Sequence, residues 1–270
     1  MHSKGEPKIV KGWVLASSST GNATLLATEK TRLLIDAGLS RKETFERLTR
    51  IGISPQSLTA ILITHEHSDH ITGLAGIAEK LGIPVYCNRA TKDEIVRILD
   101  VQLDFRLFET GASFEVGDMA VETFSIPHDA QDPVGFLVRT AFGNVGFATD
   151  LGHFTRLVGE RVRRANVLVL ESNHDVKMLT ECTRRPWSLK QRILSRHGHL
   201  SNEAAGEAVE QIMHAELKHL FLAHLSRECN KPELAFRAVH ASLNKIGAAH
   251  CKLEIASQAI PCATLELNPQ

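Results

Sequence analysis

Short apolar runs rich in β-branched residues recur along the chain, at 13–16, 23–27, 33–35, 60–63, 134–138, 145–148, 167–170 and 220–223. Such runs, bounded by glycine or polar residues, predict strands, and those that do not alternate with polar residues predict strands covered on both faces. Between them lie stretches in which apolar residues return every three or four positions. These predict helices over 41–51, 69–81, 202–213 and 232–246. Ile71, Leu74, Ile77, Ala78 and Leu81 form the inward stripe of the second, and Leu234, Ala238 and Leu243 that of the fourth. Strands crowd the first half, as hairpins would, and strand alternates with helix in the second. No linker, low-complexity block or repeat period interrupts the pattern. The expectation is one domain, residues 1–270, of mixed α/β class.

The polar residues stand at one kind of place in this pattern. Asp36 follows Leu34-Ile35, His65 follows the run ending at Thr64, Asp150 follows Ala148-Thr149, Glu171 follows Leu170, and His224 follows Ala223. Each lies just past the carboxyl end of a predicted core strand, the edge where α/β sheets bind ligands. Bulk composition narrows the partners. Lys+Arg and Asp+Glu balance at 31 each, so no global field draws in nucleic acid, and such a partner needs a local basic patch. No apolar run reaches the length of a membrane span, and the amino-terminal segment lacks a signal-peptide core. The five cysteines form no CxxC pair, which reads as reduced thiols and a cytoplasmic location. Histidine is over-represented, with 14 residues against a single tyrosine.

Five ionisable residues, His65, Glu66, His67, Asp69 and His70, are packed into ITHEHSDH at 63–70. His65 and His67, two apart beyond a strand, can point the same way. Asp69 and His70 open the next helix and swing toward the same volume. Imidazoles with a carboxylate suit Zn²⁺, Mn²⁺ or Fe²⁺. No cysteine is near, which argues against a closed thiolate site. Four ligands this close in sequence cannot all reach one tetrahedral ion, so the segment reads as shared by two divalent ions. His128, Asp150 and His224 would complete their coordination.

This set of motifs, HxHxDH, a later histidine, an aspartate after a strand and a carboxyl-terminal histidine, resembles the metallo-β-lactamase superfamily, in order from Leu33 to Ser226. The resemblance implies a four-layer αββα sandwich with a binuclear centre between the sheets. One ion would take His65, His67 and His128, the other Asp69, His70 and His224, with Asp150 as bridge. Asp36 corresponds to an aspartate that supports the ligand loops by hydrogen bonds. The segments SSSTGNATLL, LIDAGLS, ESNHD and GHLSNEAA are similar to the YycJ/WalJ group, described as DNA exonucleases and related to tRNase Z and the β-CASP nucleases. No separate β-CASP domain is expected at this length. His199 resembles the tRNase Z histidine that protonates the leaving oxygen, and Glu171 occupies the place of the carboxylate that holds it.

The implied mechanism is phosphodiester hydrolysis. Two cations bring the pKa of water toward ~7, the hydroxide attacks phosphorus in line, and His199 protonates the departing oxygen. Asp69 serves catalysis as a ligand. By the same resemblance the exonuclease would run 5′ to 3′. Backbone N–H groups of Gly21 and Asn22 could face a phosphate, and Asn173 and His174 lie near the site by the strand-end argument. Between Cys182 and Asn202 stand Arg184, Arg185, Lys190, Arg192 and Arg196 with Trp187 and no acid, leading into His199. That suits a phosphate backbone, DNA in preference to RNA. Arg156, Arg161, Arg163 and Arg164 form a second cluster that reads as a solvated helix face. Competing readings use the same centre: a thioesterase or lactonase, which needs neither His199 nor a basic rim, a cyclic phosphodiesterase, or a non-catalytic metal-binding protein.

Overall fold

The computed structural model describes residues 10–257, 260–262 and 265–267. The first sheet starts with β1 (Val10–Ala16), β2 (Ala23–Ala27), β3 (Arg32–Ile35), β4 (Ala60–Leu62), β5 (Val85–Asn88) and β6 (Phe105–Phe108), which lie side by side in chain order. The second takes β7 (Ser113–Val116), β8 (Met119–Ser125), β9 (Val134–Thr140), β10 (Gly143–Ala148), β11 (Val167–Glu171), β12 (His219–Ala223) and β13 (Lys252–Ile255). The last strand, β14 (Leu265–Leu267), crosses back to pair antiparallel with β1. Each sheet changes character midway. The hairpin expectation holds for β1–β2–β3 and β7–β8–β9–β10, which are antiparallel. It fails for β3–β4–β5–β6, which run parallel, as do β10–β11–β12–β13.

Parallel neighbours need crossovers, and helices supply most of them. They are α1 (Arg41–Arg50), α2 (Ser68–Ile71), α3 (Leu74–Leu81) and α4 (Arg89–Leu99) over the first sheet, and α5 (Arg156–Val162), α6 (Val176–Glu181), α7 (Trp187–Ile193), α8 (Asn202–Ile212) and α9 (Pro232–Lys245) in the second half. Strand periodicity sorts the side chains into three seams. Leu33, Ile35 and Leu62 face Val167, Val169 and Phe221 between the sheets. Their neighbours Leu34 and Ile61 turn outward onto Leu48, Leu74, Ile77 and Ile95 of the helices. On the other side Leu168, Leu170, Leu220 and Leu222 meet Val158, Ala205, Val209 and Val239. The layers therefore run helix, sheet, sheet, helix, the αββα sandwich. Among the described residues no helix is long and apolar enough to cross a membrane.

Two expectations need correction. The helix expected over 69–81 is broken into α2 and α3 at Thr72 and Gly73, where a β-carbon on Gly73 would stand 2.1 Å from the Leu39 carbonyl oxygen. The apolar stripe survives the break, because Ile71, Leu74, Ile77 and Ala78 are all buried. In α9 the deepest stripe is Ala235, Val239 and Leu243, with Leu234 and Ala238 at its margin. Strands β5 to β8, β13 and β14 and helices α4 to α7 are not foreshadowed by the hydrophobic pattern. Several are edge strands with exposed polar residues, and α5, α6 and α7 are too short to show a period.

Phe136, fully buried at the inter-sheet seam, gives a test of that core. Phe136→Ala should lower unfolding free energy by about 3–5 kcal/mol in chemical denaturation. A loss below about 1 kcal/mol would mean that the two sheets do not pack there.

Candidate metal centre

Because β3 and β4 run parallel in one sheet and β10, β11 and β12 in the other, their carboxyl ends come out on common edges. The two edges meet, and the polar residues that follow each strand converge there. The chain must turn sharply at these points. Asp36, Asp150 and His224 adopt left-handed backbone, with φ of 58°, 60° and 58°. Such conformations cost about 1–3 kcal/mol each and persist where the surroundings enforce them. Backbone bonds do so here: Asp36 N–H donates to Leu62 O at 2.8 Å, Ala37 N–H to His70 O at 2.8 Å, and His224 N–H to Ser17 Oγ at 2.7 Å. The DAGLS loop lies so close to the motif that a β-carbon on Gly38 would fall 1.7 Å from Asp69 O.

The seven histidines and aspartates fall into overlapping groups whose ligand atoms lie within 4.8 Å of one another: His65 with His67 and His128, Asp69 with His70 and His224, and His65 with His70 and Asp150. Asp150 stands between the first two, with Oδ2 at 3.4 Å from His70 Nε2 and Oδ1 at 3.7 Å from His128 Nε2 and 3.4 Å from the His224 ring. His65 Nε2 and Asp150 Oδ2 are buried without a hydrogen-bond partner. Buried polar atoms are rarely left so, and these two point to a cation. The donor set, imidazole and carboxylate, fits Zn²⁺, Mn²⁺ or Fe²⁺.

A ring of supports orients these atoms. Asp36 Oδ2 accepts from His70 Nδ1 at 2.8 Å, and Oδ1 accepts from Thr64 N–H at 2.9 Å. Glu171 is fully buried: Oε1 accepts from His224 Nδ1 at 2.7 Å and His199 Nδ1 at 2.9 Å, and Oε2 from the N–H groups of Leu151 and Leu200. With Nδ1 thus engaged, His70 and His224 present Nε2 toward Asp69 Oδ2, at 3.5 and 3.3 Å. His128 Nδ1 donates to Gly198 O at 3.2 Å, and its loop is tied to the motif by Gln131 N–H donating to Glu66 Oε1 at 2.8 Å.

Burial and charge pull against each other here. Burial, with the neighbouring imidazoles, pushes His65 well down, and burial lowers His128, so both are neutral and fit to ligate. Burial also opposes charge on His70 and His224, yet Asp36, Asp69 and Asp150 raise the first, and Asp150, Asp69 and Glu171 the second. Asp69, Asp150 and Glu171 are depressed: burial raises them, and the imidazoles outweigh it. Buried carboxylates demand positive charge, which protons or divalent cations must supply.

The remaining expected residues divide. A cleft of about 320 Å³ opens on the cluster and is lined by His67, Asp69, His128, His199 and His224, with Asn173, Arg185 and Arg192 among its walls. Arg185 is held by Glu228 at 3.0 Å and Arg192 by Asp129. Arg184 is exposed and paired with Glu228 at 3.5 Å. Lys190 does not reach the cleft: it is buried and donates to Thr180 O at 2.7 Å, while its neighbours Leu189, Arg192 and Ile193 line the cleft. Gly21 and Asn22 do not offer N–H groups to a phosphate either. Gly21 N–H donates to Ser18 O and Asn22 N–H to Asp69 O, while Asn22 Nδ2 donates to Asp69 Oδ2 at 3.2 Å. Asn22 thus clamps Asp69 from behind. Asn173 donates through Nδ2 to His224 O at 2.8 Å, and His174 lies outside the cleft. Trp187 is 60% exposed. The cluster after Asp150 is a surface face, with Arg161 and Arg164 paired to Glu122. Arg192 and Ser19 also line the cleft, a placement that charge counting alone does not give.

The sandwich and its rim are those of a metallo-β-lactamase-type fold, and a model of the beta-lactamase superfamily domain matches residues 31–225. The chain belongs to this superfamily. It is similar to the exodeoxyribonuclease YycJ of Bacillus anthracis, 39% identical over 236 residues that span 87% of this chain and 89% of the relative. Exodeoxyribonuclease WalJ of Streptococcus pneumoniae is also 39% identical, over 227 residues, 82% of this chain and 84% of the relative. Among solved structures, the metallo-beta-lactamase fold protein YhfI of Bacillus subtilis superposes with a TM-score of 0.72 at 15% identity, covering 96% of this chain and 99% of that one. At that identity the likeness concerns the fold alone.

Asp36→Ala should weaken divalent-metal affinity about 10–100-fold, measured by competition with a chromophoric chelator, since it frees the His70 ring. Unchanged affinity would show that Asp36 does not orient the centre.

Proposed function

We propose that the chain is a two-metal phosphodiesterase that degrades DNA as a 5′ to 3′ exonuclease. The observation that carries this reading is the His199–Glu171 pair on the wall of the cleft, beside the cluster suited to metal. The names of the relatives, both exodeoxyribonucleases, support the substrate class. His65, His67 and His128 would hold one ion, and Asp69, His70 and His224 the other, with Asp150 shared and Zn²⁺ the first choice. Such a pair, when bound, supplies Lewis acidity and an acidified water at neutral pH.

The protein's own groups do the rest. Glu171 accepts from His199 Nδ1 at 2.9 Å, which fixes the ring's orientation and leaves Nε2 as the atom through which a proton would pass. A departing alkoxide set against Nε2 would take that proton. Arg185 and Arg192 on the cleft wall would hold phosphates of the strand once Glu228 and Asp129 release them. A small-ester hydrolase has no use for either feature.

His199→Ala should retain two ions per chain and lose about 10²–10⁴-fold in kcat/KM on end-labelled oligonucleotides. Wild-type rates in that variant would remove His199 from the chemistry. In 5′- and 3′-labelled substrates, mononucleotide release from the 5′ end first is expected, and release from the 3′ end contradicts the polarity. DNA affinity should fall with salt, and the Arg185→Ala/Arg192→Ala variant should flatten the log–log slope by roughly 1.4 for single strands, about 0.7 for each phosphate that no longer meets a cation. An identical slope would place the strand elsewhere.

A further inference from the structure

A second cavity, of about 350 Å³, adjoins the metal cleft, and His199 lines both. Its chemistry differs from the cleft's. Phe154, Val176 and Leu194 contribute apolar wall, and Val176 and Leu194 are 40% and 42% exposed, high for large aliphatic residues beside a cavity. His174 also lines it, only 1% exposed, and neither of its ring nitrogens has a hydrogen-bond partner. No Lys or Arg lines the cavity, and Glu207 brings an acid to it. The walls are fixed to the catalytic segment: Asn173 N–H donates to Leu200 O at 2.8 Å, Asn202 N–H donates to His174 O at 2.9 Å, and residues 174 and 201 form a parallel bridge.

We infer that this cavity seats the base of the nucleoside that carries the leaving oxygen. The inference rests on the phosphodiesterase reading above and extends it. The group that receives a proton from His199 must lie against its ring, and the nucleoside attached to that oxygen must continue past it. The adjoining cavity is lined by the same ring. No Lys or Arg stands among the lining residues to meet a phosphate, and the guanidinium of Arg196 is spent on His153 at 3.3 Å, whereas a nucleobase, with its apolar faces, matches the apolar wall. Burial pushes His174 down to about 4, so at neutral pH this wall of the cavity carries no charge. Phe154 and Leu194 would cover the base faces. The same contacts work for all four bases, which suits a nuclease without sequence preference.

The test compares the metal-loaded full chain on a normal oligonucleotide and on one with a tetrahydrofuran abasic residue at the leaving nucleoside, that side being the product without the phosphate. An abasic residue across the scissile phosphate is the control, and methyl p-nitrophenyl phosphate reports the centre alone. The normal substrate should exceed the leaving-side abasic one by about 5–100-fold in kcat/KM, the range of one stacked base. That ratio should fall toward one in both Leu194→Glu and Phe154→Ala. Equal rates on the two substrates in the wild type, a penalty confined to the other side, or a ratio retained in both variants would overturn the subsite while the ester is still hydrolysed. A wild type that turns over neither DNA nor the ester overturns the phosphodiesterase reading and the subsite with it.

Discussion

Glu171 is the group on which the rest of the site depends. Its carboxylate is wholly buried and carries charge, so every lone pair must be met. Four donors meet it, from three separate segments: Leu151 N–H after β10, His199 and Leu200 N–H ahead of α8, and His224 after β12. One side chain thus sets the relative positions of a residue proposed to hold metal, His224, and the residue proposed to deliver the proton, His199. The two rings lie 5.1 Å apart, between centroids, because they share one oxygen. Moving either alone would leave a buried charge short of a donor, at a cost of several kcal/mol.

The sheets make this arrangement possible. Five strands in two sheets end on facing edges, and three of the residues that follow them accept left-handed backbone to aim inward. The three hydrophobic seams hold those edges in place, and the small spaces at Gly38 and Gly73 let the rim loops close on the motif. Three of the left-handed residues, the buried charges and two unsatisfied ligand atoms, His65 Nε2 and Asp150 Oδ2, gather in one small region. Core packing elsewhere offsets them, which is the usual distribution for a site shaped by chemistry rather than by stability.

The parts of this architecture that were legible from sequence are those with a strong local signal. All eight apolar runs are strands, because a strand buried on both faces cannot avoid looking apolar. Where such a run stops, the next polar residue marks the rim, and Asp36, His65, Asp150, Glu171 and His224 do meet there. Phase and distant pairing were less visible. Counting charges over 184–196 favoured Lys190, although the turn of α7 sends that side chain to Thr180 and Arg192 to the cleft. Asn22 looked free for a ligand because its partner, Asp69, lies more than forty residues away in sequence and leaves no local trace, while the Gly21 N–H is taken up by Ser18 O within its own turn. Edge strands β6 and β7 were missed for a similar reason, since their exposed polar residues blur the period. The cavity lined by His174 has no sequence signature at all. It arises from the meeting of α8, the loop after β11 and the loop after β10.

The central claim is that the rim holds two divalent cations side by side. Anomalous diffraction from crystals of the protein loaded with zinc, collected on either side of the zinc edge, tests it directly. Two peaks are expected per chain, one among His65, His67 and His128 and one among Asp69, His70 and His224, both in contact with Asp150. A single peak, or none at the rim with the imidazoles turned apart, would contradict the account.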